Sequence, residues 1–178
     1  MRLFIAINFD KHVRQELAAS AAVLREHSLS GNFTLENNYH ITLSFLGETV
    51  PEKTAQICGA MDECPAQSMT LTLGKCGCFG SGGSVIAWRA VKAPRQLWKL
   101  QENLQNRLLQ RGFAPDLKKF KPHLTLARQL ELRPCVSWDE LNKLIMPFEC
   151  TVESMELMKS ERIKGRLTYS PLYSCRFR

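Results

Sequence analysis

Apolar positions along this chain fall into two matching series. Leu3-Phe4-Ile5-Ala6-Ile7 is an unbroken apolar run of strand length, followed by Val13, Leu17, Ala18, Ala21 and Leu24 at helical spacing. Val85-Ile86-Ala87-Trp88-Arg89-Ala90-Val91 is a second such run, followed by Leu97, Leu100, Leu104 and Leu108. The pattern predicts a strand and then a helix twice, with helices over 11–24 and 94–111. Asp10 suits an N-cap, Pro94 a first helical turn, and Gly112 the residue that ends a helix. Shorter helices are predicted over 52–61 and 137–144, each leading into an alternating strand, 69–73 and 151–158. Strand-rich halves covered by two long helices predict an α+β fold rather than a doubly wound parallel sheet.

Between the helix and the short helix of each half lies a small motif. Tyr39-His40-Ile41-Thr42-Leu43 and Pro122-His123-Leu124-Thr125-Leu126 both carry His-apolar-Thr-apolar, and their histidines are 83 residues apart. In a strand, residues i and i+2 share a face. Each His therefore shares a face with its Thr, while Ile41, Leu43, Leu124 and Leu126 point into the core. Phe4 lies 36 residues ahead of His40 and Ala87 lies 36 ahead of His123. A period of about 80 residues is too long for a solenoid and reads as a duplicated lobe. The expected organisation is one domain, 1–178, with lobes near 1–83 and 84–178 that are free to exchange strands.

Composition narrows the setting. The apolar fraction of 44% and charged fraction of 23% are ordinary for a globular chain. The N-terminal apolar run is five residues long and meets Asn8, Asp10 and Lys11 at once, too short for a signal-peptide core or a membrane span. The seven cysteines are expected to be free thiols in a reducing cytoplasm, and Cys76-Gly77-Cys78 to form a turn without a metal. Charge changes the picture more. The net charge is +7, yet segments 107–128 and 157–178 each hold six basic residues and one acid. The rest of the chain is therefore net negative. Positive charge concentrated in the segment of the second tetrad points to a nucleic-acid or phosphate partner. Lys118, Lys119, Lys121, Arg162, Lys164 and Arg166 are expected to line the approach.

Two histidines on opposite sides of a phosphodiester form an acid–base pair, because a free imidazole titrates near 6.5. One takes a proton from the attacking oxygen while the other gives one to the departing oxygen. Thr42 and Thr125 can hydrogen-bond the non-bridging oxygens as charge builds. Such chemistry requires neither metal nor cofactor. Arg128, just after the second tetrad, can place a guanidinium fork on the phosphate. Phe4 and Phe45 are candidates for stacking on a base.

Taken together, YHITLSFLG and KPHLTLAR resemble the paired HxT motifs of the 2H phosphoesterase superfamily. Within it the chain is similar to RNA 2′,3′-cyclic phosphodiesterases, also called 2′-5′ RNA ligases. The opening RLFIAI, the Arg after the second tetrad and the Ser160…Tyr169 segment extend the resemblance over nearly the whole chain. The resemblance implies a bilobal, pseudo-twofold α+β fold with two antiparallel sheets backed by helices and an active-site groove between them. It also implies that His40 donates and His123 accepts a proton. Water activated by His123 would open the cyclic phosphate to a 2′-phosphomonoester, and a ribose 5′-hydroxyl in place of water would give ATP-independent ligation. The implied setting is RNA processing by a cytoplasmic monomer acting on RNA or a nucleotide that bears a 2′,3′-cyclic phosphate. Rival readings are a phosphodiesterase for 2′-5′ oligoadenylate or small cyclic nucleotides, and an RNA-binding module with a vestigial site.

Overall fold

The structure is a computed structural model that describes residues 1–80, 84–116 and 119–178. Among them the chain forms nine strands and four α-helices. In order these are β1 (Arg2–Asn8), α1 (Lys11–Glu26), β2 (Ser28–Phe33), β3 (His40–Glu48), α2 (Thr54–Asp62), β4 (Met69–Phe79) and β5 (Val85–Lys92). Then come α3 (Arg95–Gln110), β6 (His123–Leu132), α4 (Trp138–Leu144), β7 (Phe148–Val152), β8 (Ser154–Ile163) and β9 (Arg166–Arg176). The α+β class read from the sequence is the one found.

All strand pairs are antiparallel, in two sheets ordered β3-β1-β8-β9 and β2-β6-β5-β4-β7. Setting β1 against β5 and β3 against β6 brings the sheets into correspondence, with β2 as an extra edge strand. The third place in the first sheet is filled by β8, from late in the chain, and in the second by β4, from the first half. The sheets therefore do not divide at residue 83. One continuous apolar core runs through both of them and takes in buried residues from every helix, among them Leu17, Ile57, Leu100 and Leu141.

Local chemistry explains the helix ends. Asp10 caps α1 by accepting from the Val13 N–H at 2.8 Å, as expected from its position. Ser137 and Glu140 form a capping box at the start of α4. Gly112, past the end of α3, has φ +75°, the left-handed region where glycine is favoured. Pro94 lies just before α3 rather than within its first turn.

Three expectations are corrected. The strand read over 151–158 is two strands in different sheets, because the chain leaves the second sheet after Val152 and enters the first at Ser154. Alternation continues across the junction, so the pattern alone does not reveal the change of partner. Cys76 and Cys78 lie on β4, not in a turn, next to a register shift between Leu73 and Cys76. The repeat is also one residue out of step with the 36-residue spacing. His40 pairs with Asn8 and His123 with Ala90, so Ile86 rather than Ala87 matches Phe4.

Candidate active site

His40 and Thr42 open β3, and His123 and Thr125 open β6. All four are half-buried, while Ile41, Leu43, Leu124 and Leu126 are buried, as alternation requires. Both strands then break the rhythm in the same way. Leu43 and Ser44 are buried in succession, as are Leu126 and Ala127, and each pair coincides with a register shift against the neighbouring strand. The bulge turns the next residue outward. That residue is Phe45 on β3 and Arg128 on β6, and both are exposed.

The imidazoles are held alike. His40 Nδ1 lies 2.7 Å from the Asn38 carbonyl, and His123 Nδ1 lies 2.8 Å from the Lys121 carbonyl. A carbonyl only accepts, so Nδ1 carries the hydrogen in both rings and Nε2 is the atom left to exchange a proton. Asn38 is itself anchored, because its buried side chain donates to the Leu167 carbonyl at 2.9 Å. The Thr42 hydroxyl lies 3.0 Å from His40 Nε2 and donates to it when the ring is neutral.

Surroundings differ between the two rings. His40 packs against Phe4 and Tyr169, with ring centroids 5.0 and 5.2 Å away, and Tyr169 stands edge-on to it. Burial lowers the His40 pKa below the ordinary imidazole value. The hydrogen bond to Asn38 opposes this, and the charges of Arg128 and His123 push it down further. Those last two effects reach across from the second sheet, and β3 and β6 pack against each other along the seam. Arg128 also acts on Tyr169, whose phenol is raised by burial and pulled back by that guanidinium. Next to His40, Asn8 donates to the Glu156 carboxylate and to the Met158 sulfur.

The structure thus brings His40, Thr42, Phe4 and Phe45 together on the first sheet, and His123, Thr125 and Arg128 on the second. Phe4 is buried in a small cluster with Ala6, Met158 and Tyr169, so it walls the His40 ring instead of offering a free face. Phe45 is 51% exposed and does offer one. Lys119, Lys121, Arg162, Lys164 and Arg166 are exposed; Lys118 lies outside the described residues. Tyr169, Phe79 and Trp88 were not singled out from the sequence. Tyr169 arrives on β9, 129 residues from His40, and Phe79 on the end of β4, where only an aromatic beside a glycine-serine run marked it. No group of three or more His, Cys, Asp or Glu among the described residues is placed to hold a metal ion, and no helix there is long and apolar enough to cross a membrane.

Both the sequence and the fold have relatives among known proteins. Residues 13–164 match the 2′-5′ RNA ligase superfamily. The chain is 30% identical to the RNA 2′,3′-cyclic phosphodiesterase of Thermotoga maritima, over 99% of this chain and 96% of that protein. It is 36% identical to the protein of the same name from Archaeoglobus fulgidus, over 77% of each. Among solved structures, E. coli LigT complexed with 3′-AMP superposes with a TM-score of 0.80 at 25% identity, covering 99% of this chain and 97% of that one. The chain belongs to the 2′-5′ RNA ligase superfamily.

Proposed function

We propose that this member of the 2′-5′ RNA ligase superfamily hydrolyses RNA 2′,3′-cyclic phosphodiesters to 2′-phosphomonoesters by paired-histidine acid–base catalysis. One observation carries the reading. Two imidazoles on matched strands each have Nδ1 tied to a backbone carbonyl two residues back, which leaves Nε2 as the proton-exchanging atom on both. Relatives of the chain named RNA 2′,3′-cyclic phosphodiesterase support the substrate class. Shared core and strands contributed to each sheet from both halves support reading residues 1–178 as one catalytic domain.

In this mechanism His123 takes a proton from water as its oxygen bonds to phosphorus. The bond from phosphorus to O3′ breaks, and His40 delivers a proton to that oxygen. Thr42, Thr125 and Arg128 donate to the non-bridging oxygens, where charge builds in the transition state. The free site disfavours a charged His40, so its protonation is coupled to arrival of the anionic phosphate, which favours the imidazolium. Phe45 stacks on the base of the bound nucleotide. Replacing water by a ribose 5′-hydroxyl runs ligation through the same groups without ATP. Because imidazoles, hydroxyls and a guanidinium supply every step, hydrolysis is expected to continue in EDTA.

The test is direct. Adenosine 2′,3′-cyclic phosphate incubated with the protein and a chelator should yield adenosine 2′-monophosphate. Exclusive formation of the 3′-isomer, or activity that depends on an added divalent ion, would refute the mechanism. Binding of RNA without turnover would favour the vestigial reading.

A further inference from the structure

The lobe that carries His123 has an aromatic surface of its own, which hydrolysis of a cyclic phosphate leaves unused. That reaction involves one nucleoside, and Phe45 already offers it a ring. On the second sheet, Phe79 ends β4 with its ring edge-on to the His123 imidazole, centroids 5.1 Å apart at 89°. Phe79 also lies 5.2 Å from the Trp88 indole, tilted by 34°. Trp88 is opposite Thr125 in the register and so shares the face of Thr125 and His123. Phe79 is 36% exposed, and a ring left that open beside a proton-transferring group has apolar face to give to a ligand.

Strand β4 is shaped to seat the indole. Gly77 is opposite Trp88, and a Cβ on Gly77 would fall 2.8 Å from Cζ2 and 2.9 Å from Cη2 of that ring. The buried Trp88 Nε1–H has no hydrogen-bond partner among the described residues, and the indole packs against Gly77 on one strand and the Phe79 ring beside it. The duplicated scaffold does not itself require the pair. In the first sheet the corresponding places, opposite Thr42 on β1 and beside it on β8, hold Ala6, Glu156 and Met158.

We propose that Phe79 and Trp88 form a second base-stacking shelf, which takes the nucleoside on the nucleophile's side of the phosphate, so that the groove binds a 2′-5′-linked dinucleotide unit through both of its bases. This rests on the reading that His123 accepts the nucleophile's proton. In the joining direction the 5′-oxygen of that nucleoside bonds to phosphorus and the bond from phosphorus to O3′ breaks. The 5′-hydroxyl proton passes to His123, and O3′ receives one from His40. Cleavage of the 2′-5′ linkage is the reverse, and no further reactant is needed. In-line displacement sets the incoming oxygen opposite the departing one. The nucleoside that carries it then lies on the His123 side, where the shelf is.

Three substrates separate the possibilities: adenosine 2′,3′-cyclic phosphate, 2′-5′-linked ApA, and the same dinucleotide with an abasic ribose on its 5′-oxygen side. Phe79→Leu keeps apolar bulk against His123 and removes the stacking face. It should lower kcat/KM for ApA relative to the cyclic mononucleotide by about tenfold, within the range for loss of one base–aromatic stack. It should also abolish the preference of the wild type for ApA over its abasic analogue. Gly77→Ala, which displaces Trp88, should move the same ratio in the same direction. An unchanged ratio in both variants, whether the separate rates fall together or not at all, overturns the shelf. If the wild type turns over none of the three, the proposed function fails instead. Affinities of ApA and adenosine 2′-monophosphate, compared between His40→Ala and His40→Ala/Phe79→Leu proteins, then decide the shelf alone. Selective loss of ApA affinity supports it, and equal change in both affinities overturns it.

Discussion

Each sheet contains the same strand and surrounds it differently. β3 and β6 share the His-apolar-Thr-apolar order, the tie from Nδ1 to a carbonyl two residues back, and the paired burial that bulges the strand after Leu43 and Leu126. The bulge delivers Phe45 on one strand and Arg128 on the other to corresponding places. One strand over, Ile7 of β1 corresponds to Arg89 of β5, and both are buried. His40 is walled by Phe4 and Tyr169, whereas His123 meets the half-open Phe79. Duplication thus preserves the two histidine positions, and the residues around them make the two sides inequivalent. An exposed phenyl ring, Phe45, stands on one side and an exposed guanidinium, Arg128, on the other.

If the two strands are matched in chemistry, removing either histidine should have the largest effect available. His40→Ala and His123→Ala are each expected to lower kcat for cyclic phosphodiester hydrolysis by about 10²–10⁴, the usual contribution of a general acid or base. Folding should survive, because both rings project away from the continuous core, and circular dichroism would show it. A variant that keeps more than about a tenth of the wild-type rate removes that histidine from the mechanism.

The Ile7–Arg89 contrast predicts a loss of stability instead of activity. The Arg89 guanidinium donates from Nε to the Gly74 carbonyl at 3.0 Å and from Nη2 to the Leu73 carbonyl at 3.3 Å. It also bonds the Ser20 hydroxyl and the Met146 carbonyl, and lies 4.9 Å over the Phe148 ring. It ties α1, the irregular stretch of β4 and the segment after α4 together where the other lobe uses plain apolar packing. Arg89→Leu should cost about 2–4 kcal/mol in urea unfolding, since buried acceptors left unsatisfied cost about 1–3 kcal/mol each before relaxation. A loss below about 0.5 kcal/mol would mean that water replaces the guanidinium freely. Ile7→Val, at the corresponding place, should cost only about 0.5–1.5 kcal/mol.

This asymmetry also marks where the sequence stopped being legible. The tetrads, the two long amphipathic helices and the α+β class were readable because each is a local pattern with a fixed period. β2 was not read, since Ser28–Phe33 is polar and lies on a sheet edge, where alternation has little apolar content to show. The switch at Glu153 was invisible because strand partners are chosen by tertiary packing and not by the alternation of residues 151–158. Site residues divide the same way. His40, Thr42, His123 and Thr125 announce themselves by repetition. Tyr169 and Phe79 reach the histidines only through the fold, from strands distant in the chain.

The threonines test how closely the two strands match. Thr42→Val and Thr125→Val should each raise the barrier by about 1–3 kcal/mol, the worth of a lost donor to developing charge. They differ in a second respect. Thr42 also bonds His40 Nε2, and no such bond joins Thr125 to His123 among the described residues. Thr42→Val should therefore alter the titration of His40 as well as the rate, while Thr125→Val should alter the rate alone. A His40 titration that Thr42→Val leaves unmoved, or that Thr125→Val moves as much, would erase this distinction.

The smallest expected effect is the titration of His40 itself, and it probes the enclosure of that ring most directly. Burial, and then the charges of Arg128 and His123, lower its pKa against the opposing pull of the Asn38 carbonyl. By NMR, the His40 ring should titrate below the free value of about 6.5 in the unliganded protein and move upward when inorganic phosphate is added. Arg128→Ala should also move it upward, by less than full relief of burial would. The sign for stability follows. Between the folded and unfolded pKa values the unfolded chain binds more protons, so the contribution of neutral His40 is complete above about pH 6.5. It is lost as pH falls through the folded value and is constant below it. Replacing His40 by Gln should remove that part of the acid dependence of unfolding and leave stability above pH 7 little changed. A His40 midpoint at or above the free value would show that the ring is solvated in spite of Phe4 and Tyr169, and the contrast between the two lobes would then rest on Phe45 against Arg128 and on Ile7 against Arg89.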